Sequence, residues 1–356
     1  QVSLLTTTAI CILIGMVFYK IPWKDYELAI TNNIAGVATA IIILLIIGAL
    51  SGIWMISGVV PTLIYYGMQI IHPSFFLAST CIICALISVM TGSSWTTIAT
   101  IGIALMGIGK AQGFEDGWIA GAIISGAYFG DKISPLSETT ILASSITDTP
   151  LFRHIRYMMI TTVPSLIITL IIFTVAGLSH DASNTQHIAE VATALNEKFH
   201  ITPWLLIVPV ATGILIARKV PSIVTLFLST LLAGVFALIF QPELLQEISG
   251  VAVSGFDSLF KGLMMTVYGA TNLHTGNAVL TDLIATRGMA GMMNTIWLIL
   301  CAMCFGGAMT ASGMLGSITS IFVRFMKKTV SVVGATVCSG MFLNLTTADQ
   351  YISIIL

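Results

Sequence analysis

The chain has 356 residues, 56% of them hydrophobic and only 8% charged, with a mean hydropathy of +1.00 and a formal net charge of −1. A water-soluble domain carries about a quarter charged residues, so this composition places the chain in a membrane, as a polytopic helical protein. Long apolar runs rather than short alternating segments exclude an outer-membrane barrel. The lack of a basic tail or an aromatic–basic stripe argues against nucleic acid as a partner.

A transmembrane helix needs roughly 20 apolar residues. Runs of this kind lie at about 4–19, 34–56, 157–178, 203–217, 220–240 and 289–312. Basic residues at 153–156, 218–219 and 324–328 alternate with loops poor in Lys and Arg, which places those three ends in the cytoplasm by the positive-inside rule. Two C-x-x-C pairs, Cys81/Cys84 and Cys301/Cys304, sit within apolar helical runs and read as small packing residues rather than redox or zinc motifs.

Two segments have the wrong length for a span. Residues 75–109 would make a helix of roughly 50 Å, and residues 117–145 one of roughly 43 Å. The first is interrupted by "TGSSWTT" (91–97), where Gly92 loosens the helix and Ser93 or Ser94 can cap the next half. The second is interrupted by "DKISP", where Ser134 before Pro135 predicts a new helix start. This puts Asp131 and Lys132 in a non-helical link and Glu138 in the first turn beyond it. Non-helical backbone at membrane depth is tolerated only where it lines protein or a water-filled cavity, so both segments read as broken helices at a cavity.

The second half echoes the first. "GALSGIWMISG" (48–58) resembles "GGAMTASG" (306–313), and "SVMTGSSWTTIAT" (88–100) resembles "MFLNLTTADQYIS" (341–353). Repeated halves broken at corresponding places predict an all-α, inverted-repeat secondary transporter with broken or re-entrant helices at the bilayer midplane. The first repeat covers about 1–178, a connecting loop about 179–202, and the second repeat about 203–356. On this correspondence the second "DKISP", and with it the partner of Asp131, is expected beyond Leu356.

A hard cation such as sodium takes oxygen ligands. Asp131 and Glu138 are the candidate carboxylates, Ser94 and Thr97 candidate hydroxyl ligands, and Ser93, Thr96, Ser134 and Ser137 complete the polar set of the two breaks. Asn344, Thr346 and Asp349 are their counterparts in the second half. Lys132 is either a counter-ion to Asp131 or a residue snorkelling to the interface. Asn272 and His274 lie in a third polar cluster, "YGATNLHTGNAVLTD", where the histidine is a hydrogen-bonded bundle residue or a proton relay. Asp257 and Lys261, four apart, predict an ion pair on one helical face.

"SGIWMISGVVPTLIYYG", "GSSWTTIATIGIALMGIG" and "SGAYFGDKISPLSETTILAS" together resemble the NhaC family of sodium/proton antiporters. The resemblance runs through nearly all of the first half and, more loosely, through "NLTTADQYISIIL"; "TIAT" where "TxGT" is usual is a mild departure. It implies the inverted-repeat fold of the ion-transporter superfamily, with Asp131, Ser134, Pro135, Ser137 and Glu138 in the first repeat's signature and a second-repeat counterpart after residue 356. It implies exchange of Na+ for H+ in a bacterial inner membrane, with no cofactor and no enzymatic step. Because the family includes sodium–lactate/malate–proton exchangers, an organic acid is an alternative co-substrate. A homodimer is compatible with this reading. An intramembrane aspartyl protease, suggested by "FGD" followed by "SPL", lacks a second Asp in comparable context to share a proton; a channel fits broken repeats less well than alternating access does.

Overall fold

Inside a bilayer each backbone N–H and C=O must find its partner within the protein, so apolar runs become helices. The computed structural model describes residues 1–179, 185–218, 220–251, 255–271, 273, 281, 284–314, 316–317, 320, 333–334 and 336–341, with the backbone alone at 138, 146 and 185–191. Among these the secondary structure is helical, apart from one antiparallel bridge between Thr271 and Thr286. The α-helices, in chain order, are α1 Val2–Phe18, α2 Trp23–Gly36, α3 Ala38–Ile56, α4 Val59–Ile70, α5 Phe76–Thr91, α6 Ser94–Thr97, α7 Ile103–Ala111, α8 Asp116–Ile133, α9 Glu138–Ile146 and α10 Leu151–Leu178. They continue with α11 Thr185–Lys198, α12 Ile207–Ala217, α13 Ser222–Phe240, α14 Pro242–Ser249, α15 Phe256–Tyr268 and α16 Met293–Ala311.

Five stretches are long and apolar enough to cross a membrane among the described residues: Ala38–Ile56, Pro73–Thr91, Leu151–Leu178, Ser222–Phe240 and Met289–Ala311. The protein is an all-α polytopic membrane protein. Residues 179–202, read as a connecting loop, contain α11, whose last turns meet Pro203–Ala217 at a bend of 95°.

The chain packs as two units, one of residues 1–44 with 293–356 and one of residues 45–292. In the first, α16 lies against α2 and α1, and Gly307 lets it approach the α2 backbone at Ile30. In the second, α12 and α13 are joined to α3 by a buried polar relay. Trp54 Nε1 donates to Ser229 Oγ at 3.1 Å, and that hydroxyl lies 2.7 Å from Thr212 Oγ1.

The centre of the larger unit is the pair α5 and α8, which run parallel. Gly126 meets the Cys81 carbonyl, Gly130 meets that of Ala85, and Ser134 Oγ donates to Val89 O at 2.8 Å, each pair 45 positions apart. A Cβ on Gly130 would stand 2.6 Å from Ser88 Cβ, so glycine is what allows this approach. Ser88 reinforces it by donating its hydroxyl to Ala127 O.

The first long segment is broken at Gly92, as expected, and its two arms form a hairpin. After the break at Gly92 the chain returns through α6, a π-helix at Ile98–Gly102, and α7 to the level at which α5 began. There Gln112 Nε2 donates to Ile71 O at 2.9 Å and the rings of Phe76 and Phe114 stack with centroids 5.4 Å apart. Pro73–Thr91 is long enough to span, yet it forms one arm of this hairpin. The second long segment does break as expected, into α8 and α9, and α10 runs back along α8 and α5.

The run at about 34–56 holds the span Ala38–Ile56, which begins just after α2 ends at Gly36. One further expectation is corrected. Asp257 and Lys261 are both exposed and form no ion pair; the ion pairs among described residues are Lys110–Asp116 and Lys198–Glu247. Cys81, Cys84 and Cys301 are buried free thiols within their helices, as packing residues should be, and Cys304 is partly buried.

Candidate ion-binding site at the hairpin tip

Gly92 takes a left-handed conformation, φ +67°, which an L side chain adopts only at a cost. Its α-carbon is also pressed against the second break, since a Cβ there would stand 2.6 Å from the carbonyl carbon of Leu136. The tip of the hairpin and the break in α8–α9 therefore touch backbone to backbone. Ser93 then caps α6, its Oγ accepting from Thr96 N at 3.2 Å.

The second break is set by Pro135. A residue before proline is driven out of the helical region, and Ser134 has ψ 129° as the C-cap of α8. The helix consequently runs on through Asp131 and Lys132, which occupy its last turn rather than the link in which the sequence placed them. Ser134 does not start the next helix. Ser137 does, with its Oγ accepting from Thr140 N at 3.5 Å, and Glu138 is the first residue of α9. Ser137 caps α9 as Ser93 caps α6, by accepting from the backbone N–H three residues on.

Every half-helix end leaves carbonyls without donors, and here hydroxyls fill them. Val89 O would normally accept from Ser93 N, but that N–H goes to Thr91 Oγ1 at 3.1 Å; Ser134 Oγ takes its place. Lys132 O loses both usual donors, because Pro135 has no N–H and Leu136 N goes to Ser134 Oγ at 3.1 Å. Thr140 Oγ1 serves it at 3.1 Å and shares the same proton with Asp131 O at 3.4 Å.

Within this frame the candidate residues separate by role. Ser94, buried, donates its hydroxyl to Asp131 Oδ2 at 2.9 Å across 37 residues of sequence. Among the described residues, this carboxylate–hydroxyl pair is the one candidate contact in which an acidic oxygen and a neutral oxygen meet. The hydroxyls of Ser93, Ser134 and Ser137 are engaged in capping or stapling the breaks. Thr97 Oγ1 donates to Ser93 O at 3.0 Å, and Thr96 Oγ1 to Ser93 Oγ at 3.1 Å. Lys132 is exposed and makes no ion pair with Asp131. Asn272, His274, Asn344, Thr346 and Asp349 lie outside the described residues, as does the side chain of Glu138.

Sequence reasoning passed over Thr91 and Thr140. Thr140 sits three residues past a capping serine, a position that needs only a backbone N–H, so no sequence signal singled out its side chain; for Thr91 the only signal was its place before Gly92. Thr91 also borders a largely apolar cavity of about 150 Å³, whose other walls include Trp54, Met90, Thr100 and Thr212. Among the described residues no three His, Cys, Asp or Glu side chains gather as a metal site. A cation here would draw on hydroxyl and carbonyl oxygens around Asp131, a donor set suited to a hard ion.

Residues 126–356 match the Na+/H+ antiporter family, starting at the glycine that keys α8 to α5. The chain is 36% identical to the Na+/H+ antiporter NhaC of Bacillus subtilis over 95% of its own length and 72% of that protein's. It is 37% identical to NhaC of Alkalihalophilus pseudofirmus, over 98% of its length and 73% of the relative's. The malate-2H+/Na+-lactate antiporter of Bacillus subtilis is 36% identical over the whole chain and 73% of its own length. No solved structure matches the chain.

Proposed function

Because the chain belongs to the Na+/H+ antiporter family, we propose that it exchanges Na+ for H+ at Asp131, by alternating access to a single carboxylate. The observation that carries this reading is where the carboxylate stands, bonded to Ser94 at the point where the hairpin tip meets the break in α8–α9. Charge at membrane depth is costly and rare; one that exchanges its partner is a reason to keep it. Asp131 and Ser94 would supply oxygens to Na+, with Glu138 and Thr97 as further ligands. The C-terminal ends of α5 and α8 both reach this level, and the negative end of a helix dipole favours a cation. Na+ and H+ occupying one carboxylate in turn is sufficient for antiport, and no cofactor is needed.

The same reading takes the chain as two repeats, about 1–178 and 203–356. In its support, α3 and α16 each have 19 residues and each is followed by Ser–Gly with the glycine left-handed, at Gly58 and Gly313. Asn344, Thr346 and Asp349 are then the second repeat's counterparts of the first repeat's polar residues by sequence correspondence. The bacterial relatives support the plasma membrane as its location.

A second reading is coupled exchange of an organic acid. It is favoured by the malate–lactate relative, as similar as the simple exchangers, and by Lys132, an exposed cation one residue from Asp131 that forms no ion pair among the described residues. Proteoliposomes loaded with a pH-sensitive dye separate the two. Sodium-driven proton movement without any acid supports simple exchange; movement that appears only with malate or lactate present replaces it with the coupled reading.

A further inference from the structure

Thr140 is 3% exposed and lies in the first turn of α9, nine residues past Asp131, yet its hydroxyl points back at the end of α8. The reason is Pro135. By removing one N–H and diverting another, it leaves Lys132 O without a helical donor, in a part of the fold where an unpaired carbonyl is expensive. The Thr140 hydroxyl is the donor that fills the gap, at 3.1 Å, and it also reaches Asp131 O at 3.4 Å. Its own N–H is meanwhile held by Ser137 Oγ, so the residue is fixed from both ends. The turn that carries the carboxylate is thus tied to the start of the next helix by one side chain.

We infer that Thr140 is a positioning residue for ion binding: by tying down the last turn of α8 it sets the direction in which the Asp131 carboxylate meets Ser94. This rests on the reading of Asp131 as the ion-binding group. Removing the hydroxyl takes the side-chain donor from Lys132 O and leaves Asp131 O to Ser134 N alone, at 3.3 Å, which loosens this turn; a carboxylate displaced from Ser94 offers Na+ a poorer oxygen pair. Binding suffers more than turnover, because Thr140 itself neither touches the ion nor carries the proton.

The test uses the full chain in proteoliposomes, with initial rates of sodium-driven proton movement measured against Na+ concentration. Thr140→Val keeps the shape and loses the donor; Thr140→Ser keeps the donor; Asp131→Asn is run in parallel. The expected result is a rise in apparent Na+ KM of about five- to tenfold in Thr140→Val, the size of one lost hydrogen bond. Maximal rate should be little changed, and Thr140→Ser should restore the wild-type KM. An unchanged KM in Thr140→Val, or equal damage in the Val and Ser variants, overturns the role given to the hydroxyl while leaving Asp131 in place. Wild-type exchange by Asp131→Asn overturns the site reading itself. Should the Val variant not be recovered folded, Thr140→Cys, a much weaker donor, is measured instead. A raised KM there supports the inference and a wild-type KM rejects it.

Discussion

Ser94 Oγ donates to Asp131 Oδ2 at 2.9 Å, joining the first residue of α6 to the last turn of α8. The contact exists because two interruptions of helix, each dictated by local chemistry, come to the same level of the fold. A hydroxyl that donates to a carboxylate keeps lone pairs for a cation, which is why the proposed exchange of a proton for a sodium ion at this pair calls for little rearrangement.

Asp131→Asn removes the charge and the exchangeable proton while preserving size. It should abolish sodium-driven proton movement in proteoliposomes and leave the protein folded by gel filtration. Ser94→Ala should retain exchange but raise the apparent Na+ KM, since a neutral ligand tunes binding without supplying the proton. Normal rates in the first variant would remove Asp131 from the mechanism.

Gly92→Ala tests the crossing of hairpin tip and break. The left-handed conformation alone costs roughly 1–2 kcal/mol for an L-residue, and the new Cβ would press on the Leu136 backbone at 2.6 Å. A clear loss of thermal stability and of exchange is expected. Unaltered melting of the variant would mean that the two breaks are not in the contact described.

Ser134→Ala removes a buried hydroxyl that serves both Val89 O and Leu136 N. The cost should be about 1–3 kcal/mol of stability for groups left without partners, with the Na+ KM close to wild type. A large KM change at unchanged stability would make Ser134 a direct ligand instead of a staple.

Proton and sodium are mutually exclusive on one carboxylate. Apparent Na+ affinity should therefore fall as pH is lowered, and Na+ binding should release protons. Calorimetry in two buffers of different ionisation enthalpy measures that release. Sodium binding that is independent of pH and frees no proton would rule out simple competition and favour the organic-acid scheme.

What could be read from the residues was what local backbone chemistry controls. Gly92, Ser93 and Pro135 act on their own neighbours, so both interruptions were legible to within a few residues. The cap falls at Ser137 and not at Ser134 because the serine before proline, a plausible helix start in sequence, is already taken as the C-cap of α8. Whether the chain crosses or turns back after Gly92 depends on Gln112 meeting Ile71 and Phe114 meeting Phe76, contacts some 40 residues apart that no local signal carries. The pairing of Ser94 with Asp131 is of the same long-range kind; the residues were named, but not their meeting. The ion pair expected of Asp257 and Lys261 failed because i,i+4 spacing permits such a contact without compelling it, and exposed pairs gain little from forming one.

The glycine seam between α5 and α8 has a mechanical consequence. Cys81, Ala85 and Val89 meet Gly126, Gly130 and Ser134 as rungs spaced by four residues, roughly 6 Å apart. Such a ladder resists small slips, because they bring a neighbouring side chain against a carbonyl that glycine now clears. The hairpin tip and the carboxylate beside it are accordingly geared together. On the proposed reading, a movement that exposes Asp131 to each side of the membrane in turn would take both helices as a single rigid body, or would happen entirely in what surrounds them.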